Sequence, residues 1–117
     1  MARKRAALLV DGAPKTAILV ADTHVSRAVG LMGSRVPQPP LWIDKASSVH
    51  TFGMRFAIDV AFVDRAGTVL DVVSMRPWRL GRPRRRCASV LEAVAGTFED
   101  LGIARTSVLS LRAPDWL

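Results

Sequence analysis

The chain has one cysteine in 117 residues, so no internal disulfide can hold it together. That suits a reducing compartment. Cys87 itself follows three arginines, a setting that can lower a thiol pKa, although a small, partly buried apolar role explains it more simply. Long apolar runs are also missing. Ala6 to Val10 is the apolar part of a basic N-terminal stretch, but it stops at Asp11. A secretory core needs about 7–15 such residues and a membrane-spanning helix about 20, so neither is expected. The expectation is a cytoplasmic protein with no integral membrane segment. Phosphate-cradling loops of the G-x-G-x-x-G or Walker type are absent, as is the G-x-S-x-G nucleophile elbow. With two histidines and one cysteine, no H-x-x-x-H or C-x-x-C spacing exists to hold zinc. Nucleotide-cofactor enzymes, serine hydrolases and zinc proteins therefore have no positive support, and no cofactor is expected.

What is present is positive charge, at +7 net, and unevenly placed. Arg3, Lys4 and Arg5 make a basic tail over residues 1–5. Arg79, Arg82, Arg84, Arg85 and Arg86 make an Arg-rich loop over 79–87. Setting these eight aside leaves nine basic and ten acidic residues, a nearly neutral body. Such patches suit an anionic partner, either nucleic acid or acidic protein, or they are simply solvated loops.

Half the residues are apolar, enough for a core in one domain spanning residues 1–117. Ala6–Val10 and Ala17–Ala21 read as a hairpin around Asp11-Gly12-Ala13-Pro14. A short helix is expected after Asp22 or Thr23, with Val25, Val29 and Met32 on one face and Gly33 as its stop. Leu41–Ile43 and Ser48–Phe52 read as short strands. Ile58–Val63 and Val69–Met75 are the firmest strands. They are joined by Asp64-Arg65-Ala66-Gly67, where Gly67 supplies a positive φ. Both faces of Ile58–Val63 are largely apolar, which places it centrally, under a helix or inside a small barrel. Ala88–Val94 is a strand that Ala95-Gly96 ends. Thr97 with Asp100 resembles a capping box opening a second short helix. Ser107–Leu111 is the last strand. The expected fold is α+β: a small strand-rich domain with a mostly antiparallel curled sheet or partial barrel and two short helices.

Four motifs now resemble one family. Arg27, Gly30-Leu31-Met32 and Arg35 match the R-x-x-GLM-x-x-R signature of the DUF192 proteins. The run Thr51 to Asp64, TFGMRFAIDVAFVD, looks like their central motif, with Ala57 where Pro is common. Arg76-Pro77-Trp78 is similar to the segment after the hairpin, and Val90-Leu91-Glu92 with Ala95-Gly96 and Gly102-Ile103 to the C-terminal pattern. The resemblance covers about residues 15–111. It implies a strand-rich α+β domain and names no reaction.

The candidate site comes from residues that the strand pattern does not explain. Asp59 stands within an apolar strand, where a carboxylate needs a partner, and Arg55 and Arg76 are the natural ones. His50 and Thr51 precede a Gly-Met turn. Trp78 lies between Arg76 and Arg79, where it could stack on a base or sugar. The candidate ligand-binding set is thus His50, Thr51, Arg55, Asp59, Arg76 and Trp78, with Arg79, Arg82, Arg84, Arg85 and Arg86 as an anion patch. His50 and Asp59 are the only candidates for catalysis.

Three functions fit: a non-catalytic binding or accessory module, a metal-dependent nuclease or other nucleic-acid-acting protein, or a structural part of a larger assembly. Mg²⁺ or Mn²⁺ enters only with the nuclease, which would use Asp59, Asp64 and His50. Asp59 and Asp64 are five residues apart, so strand alternation puts them on opposite faces unless a bulge intervenes. That favours the binding module.

Overall fold

The computed structural model describes residues 4–21 and 39–113. The expected helix after Thr23 falls outside the described residues, as does the Arg27–Arg35 motif. Seven strands and one short helix are seen among the described residues: β1 (Lys4–Val10), β2 (Ala13–Ala21), β3 (Leu41–Asp44), β4 (Ile58–Val63), β5 (Val69–Met75), β6 (Ser89–Val94), α1 (Thr97–Leu101) and β7 (Leu109–Arg112).

All seven strands join one mixed sheet in the order β5-β4-β6-β3-β2-β1-β7, in which only the β2–β3 pair is parallel. Among the described residues strand accounts for 51% and helix for 5%, so what is described is mostly β and the α+β expectation is corrected. The cause is local. The residues after Gly96 give one five-residue helix, and the sheet itself, rather than helices, buries most of the core.

Asp11 and Gly12 turn β1 into β2 with φ of 50° and 84°. Two successive positive φ values match the right-handed twist of the flanking strands. Asp11 also reaches β7: its N–H donates to the Val108 carbonyl, and its carboxylate accepts from the Val108 N–H, both at 2.8 Å. At the opposite edge, Thr68 bridges Val108, and the Leu109 N–H donates to the Gly67 carbonyl at 2.8 Å. The two edge strands of the sheet therefore meet. Gly67 permits this approach: its φ is +92°, and a Cβ there would lie 2.3 Å from the Leu109 oxygen.

Curling gives two apolar clusters. One gathers Leu8, Val10, Ile18, Ala61, Leu91 and Phe98, among others; the second gathers Leu41, Ile43, Ile58, Val60, Phe62 and Val90. The alternation along β4 is complete, with Ile58, Val60 and Phe62 in one cluster and Ala61 and Val63 in the other. This is why β4 lacks the polar face of a wetted strand. The second cluster is roofed by Ala46, Val49 and Met54 from the connection before β4 and by Cys87 from the connection before β6. Those two connections carry most of the candidate site residues. The expected strand Ser48–Phe52 is not part of the sheet. Only His50 makes a bridge, to Leu80, because this segment pairs with the Arg-rich connection instead.

Candidate functional site

Residues 46–51 and 79–88 run antiparallel and are joined by backbone hydrogen bonds. Ala46 N–H donates to the Ala88 carbonyl at 3.3 Å, Arg84 N–H to Ser47 at 3.0 Å, and Gly81 N–H to Val49 at 2.8 Å. Thr51 is the knot at the far end and is fully buried. Its N–H donates to the Arg79 carbonyl at 2.8 Å, and its own carbonyl accepts from the Trp78 N–H at 2.9 Å. Its hydroxyl donates to the Arg76 carbonyl at 2.6 Å and accepts from the Arg79 N–H at 2.8 Å. Thr51 thus sets the backbone of Arg76 to Arg79, with its hydroxyl proton committed there and its side chain buried.

The side chains around this knot point outward. His50 stacks on Phe52 with ring centroids 5.0 Å apart, and Phe52 lies 6.3 Å from the Trp78 ring. His50 Nδ1 also accepts from the Phe52 N–H at 3.3 Å. Phe52 is 41% exposed, Trp78 65% and Leu80 73%. Trp78 has a φ of 63°, a left-handed conformation that costs a bulky residue about 1–2 kcal/mol. Gly53, at φ 80°, turns the chain after Phe52.

The arginines divide into two kinds. Arg84 is anchored: its Nη2 and Nε donate to Asp71 Oδ2 at 2.9 and 3.3 Å, and its Nη1 donates to the Arg82 carbonyl. Its guanidinium sits 4.2 Å over the buried Phe62 ring, a favourable cation–π geometry. The Arg84 hydrogen bond and charge hold the Asp71 carboxyl below its ordinary value of 3.8, against a smaller opposing effect of burial. Arg76, Arg79, Arg82, Arg85 and Arg86 are exposed. Arg76, Arg79, Arg82 and Arg84 line one cleft of about 410 Å³, and Arg82, Arg84, Arg85 and Arg105 line another of about 450 Å³. The two clefts share Arg82 and Arg84, and among the described residues Asp71 is the single acid in their walls.

Asp59 lies apart from this surface. Its Oδ2 accepts from the Gly96 N–H at 2.9 Å and the Phe98 N–H at 3.1 Å, so it caps α1. Neither Arg55 nor Arg76 is its partner, which corrects the arginine pairing expected from the sequence. The register explains the difference: Asp59 sits opposite Ala93 on β6, just before the chain turns into α1. The expected capping box is corrected with it. Gly96, at φ 95°, is the N-cap, and the capping carboxylate arrives from β4 rather than from Thr97's neighbours. Asp64 accepts from the Ala66 and Thr68 N–H groups, each at 2.9 Å, within its own hairpin turn. The bulge between β4 and β5 leaves β4 in unbroken register with β6, so it does not bring Asp59 and Asp64 together. Among the described residues no three His, Cys, Asp or Glu side chains cluster as metal ligands.

Cys87 is a partly buried free thiol. Burial pushes its pKa above the ordinary value, outweighing the nearby Arg84 charge. Its Sγ lies 3.3 Å from the Ala46 carbonyl and 3.2 Å from the Ser89 carbonyl. Another cleft, of about 470 Å³, is lined in part by Trp42, Asp44, Asp64 and Ser110. Its acids are occupied internally: Asp44 accepts from Trp42 Nε1 at 2.8 Å and from the Ser89 hydroxyl at 3.1 Å.

The structure therefore brings His50, Thr51, Arg76 and Trp78 together, sends Asp59 elsewhere, and leaves Arg55 exposed on the connection before β4. Phe52, Leu80 and Arg105 belong to the surface and escaped the sequence reading. Phe52 gave a signal, an aromatic two residues from His50, but in a strand-like run it reads as core. Glu92 also escaped it: this β6 residue is fully buried.

A strand-dominated domain of this topology has been seen before. A protein of Sinorhizobium meliloti, provisionally described as a transcription regulator, superposes with a TM-score of 0.78 at 20% identity, covering 95% of this chain and 96% of that one. A protein of unknown function from Novosphingobium aromaticivorans gives 0.70 at 16% identity, covering 92% and 84%. These likenesses define the fold class alone. The DUF192 family model, described as "Uncharacterized ACR", matches residues 7–111, and the chain belongs to that family. Its relatives include a UPF0127 protein of Pyrococcus horikoshii, 33% identical over 89 residues (72% of this chain, 77% of the relative). A UPF0127 protein of Pyrococcus furiosus is 35% identical over 89 residues, covering 71% and 76%. Among the described residues no helix is long and apolar enough to cross a membrane.

Proposed function

We propose that this chain is a non-catalytic binding module of the cytoplasm that grips an anionic partner along its two arginine-lined clefts. One observation carries the reading: among the described residues the walls of the two clefts together hold Arg76, Arg79, Arg82, Arg84, Arg85 and Arg105 against Asp71 alone, and Asp71 is already paired to Arg84. Neighbouring guanidiniums with no counter-charge repel one another and attract phosphate or carboxylate, which they can hold bidentately. Arg84 acts as the anchor, and the exposed arginines around it are the contacts. The nuclease reading has less support, since Asp59 and Asp64 lie apart and each already accepts two backbone N–H groups.

Heparin-affinity chromatography tests the reading. The native chain is expected to elute late in the salt gradient. An Arg82→Glu, Arg85→Glu double variant, which spares Arg84, should elute well before it with an unchanged circular dichroism spectrum. Equal retention of the two proteins would remove the clefts from consideration.

A further inference from the structure

The arginine clefts do not explain the rings beside them. His50, Phe52 and Trp78 form a consecutive set of partly exposed rings, and Leu80 extends it. A Trp that is 65% exposed contributes little to the core, and this one holds a left-handed backbone conformation. Its backbone is nevertheless held, because its N–H donates to the carbonyl of buried Thr51. Arg76 and Arg79 flank it, and Arg79 Nη1 donates to the Trp78 carbonyl at 3.4 Å. Leu80 then leads into the cleft wall that Arg76, Arg79 and Arg82 share.

We propose that the anion is the backbone of a single-stranded nucleic acid, with an unstacked base taken by the Phe52–Trp78 platform and phosphates lying along Arg76, Arg79, Arg82 and Arg85. This rests on the anion-binding reading above. Exposed rings next to a track of guanidiniums are the two elements that sequence-tolerant single-strand binding uses: every base has a face to stack, and every nucleotide a phosphate to pair. A duplex offers the phosphates but hides the base faces. An acidic peptide would meet the guanidiniums and leave the rings without planar partners. Backbone fixed in advance by Thr51 lowers the ordering cost when the base arrives.

Fluorescence anisotropy with a labelled 20-nucleotide thymidine strand, its duplex with adenosine, heparin and poly-glutamate separates these cases. The native chain should bind the single strand more tightly than the duplex. Trp78→Ala should weaken the single strand by about tenfold or more while leaving heparin unchanged, and Trp78→Phe should keep most of the affinity. Arg82→Glu with Arg85→Glu should weaken every polyanion. Native single-strand affinity in Trp78→Ala, with the arginine variant still defective, would overturn the base-stacking inference and leave the anion reading standing. Binding of poly-glutamate at least as tight as the single strand would overturn it in favour of an acidic protein. A native chain that binds none of the four would overturn both.

Discussion

At the scale of single residues, Thr51, expected from the sequence in the ligand-binding set, is a buried knot of internal hydrogen bonds. One buried hydroxyl and its two backbone groups meet Arg76, Trp78 and Arg79, so this threonine shapes the candidate surface from beneath. Thr51→Val keeps the shape and removes the hydroxyl. It leaves the Arg79 N–H and the Arg76 carbonyl short of a partner, which costs about 1–3 kcal/mol in a buried setting. Urea unfolding should show that loss, with Thr51→Ser close to native. The polar character of Thr51 was legible in the sequence, but its inward direction was not, because its partners lie 25 and 28 positions away. Trp78 was legible as an outlier between arginines. That its ring stays outside, next to Phe52, depends on a positive φ that no pattern of Trp and Pro announces.

Among elements, two carboxylates from the sheet hold down other parts of the chain. Asp59 on β4 caps α1, a helix of only five residues that cannot sustain itself. Asp59→Ala should destabilise the domain by about 0.5–2 kcal/mol and speed hydrogen exchange at the Gly96 and Phe98 amides specifically. Native-like exchange at those amides would show that the cap contributes nothing. Asp71 on β5 pins the Arg-rich connection through Arg84. Its carboxyl pKa is depressed on folding, so its contribution to stability is complete above the ordinary value of 3.8 and is lost as pH falls through the folded value. Asp71→Asn should therefore be less stable than native at neutral pH, with the gap closing below about pH 3.8 as the native carboxylate protonates. The pair is partly exposed, which keeps the gap small.

Strand positions were the readable part of this level. The bounds of β4 and β5 follow directly from their apolar alternation and from the Asp64–Gly67 turn. The run Ser48–Phe52 carried an equally strand-like composition. It became one rail of the loop ladder because Gly53 turns the chain and the 79–88 segment supplied its hydrogen-bond partners. Composition reports a preference for extended backbone and does not say which extended neighbour will satisfy it. The α+β expectation failed for a related reason, since a short helix capped from another strand adds little helix to a sheet that folds over itself.

For the whole molecule, charge is segregated by topology. The sequence showed that the Arg79–Arg86 cluster was unbalanced by acids, and the fold adds Arg105 and Arg76 to it while assigning Arg84 to Asp71. Arg105 follows α1 and reaches the cluster only because the curled sheet brings its edges together, so it was out of reach of any local motif. Basic residues near one another in the chain thus became a longer cationic surface than the run itself.

The salt dependence of single-strand binding examines that surface as a unit. Each phosphate neutralised on a single strand contributes about −0.7 to the slope of log affinity against log salt. Four exposed arginines, Arg76, Arg79, Arg82 and Arg85, would give a slope near −3, and changing Arg82 and Arg85 to Gln should bring it to about half that value. A native slope near zero, or one that the double substitution leaves unchanged, would contradict the cationic surface as the seat of binding.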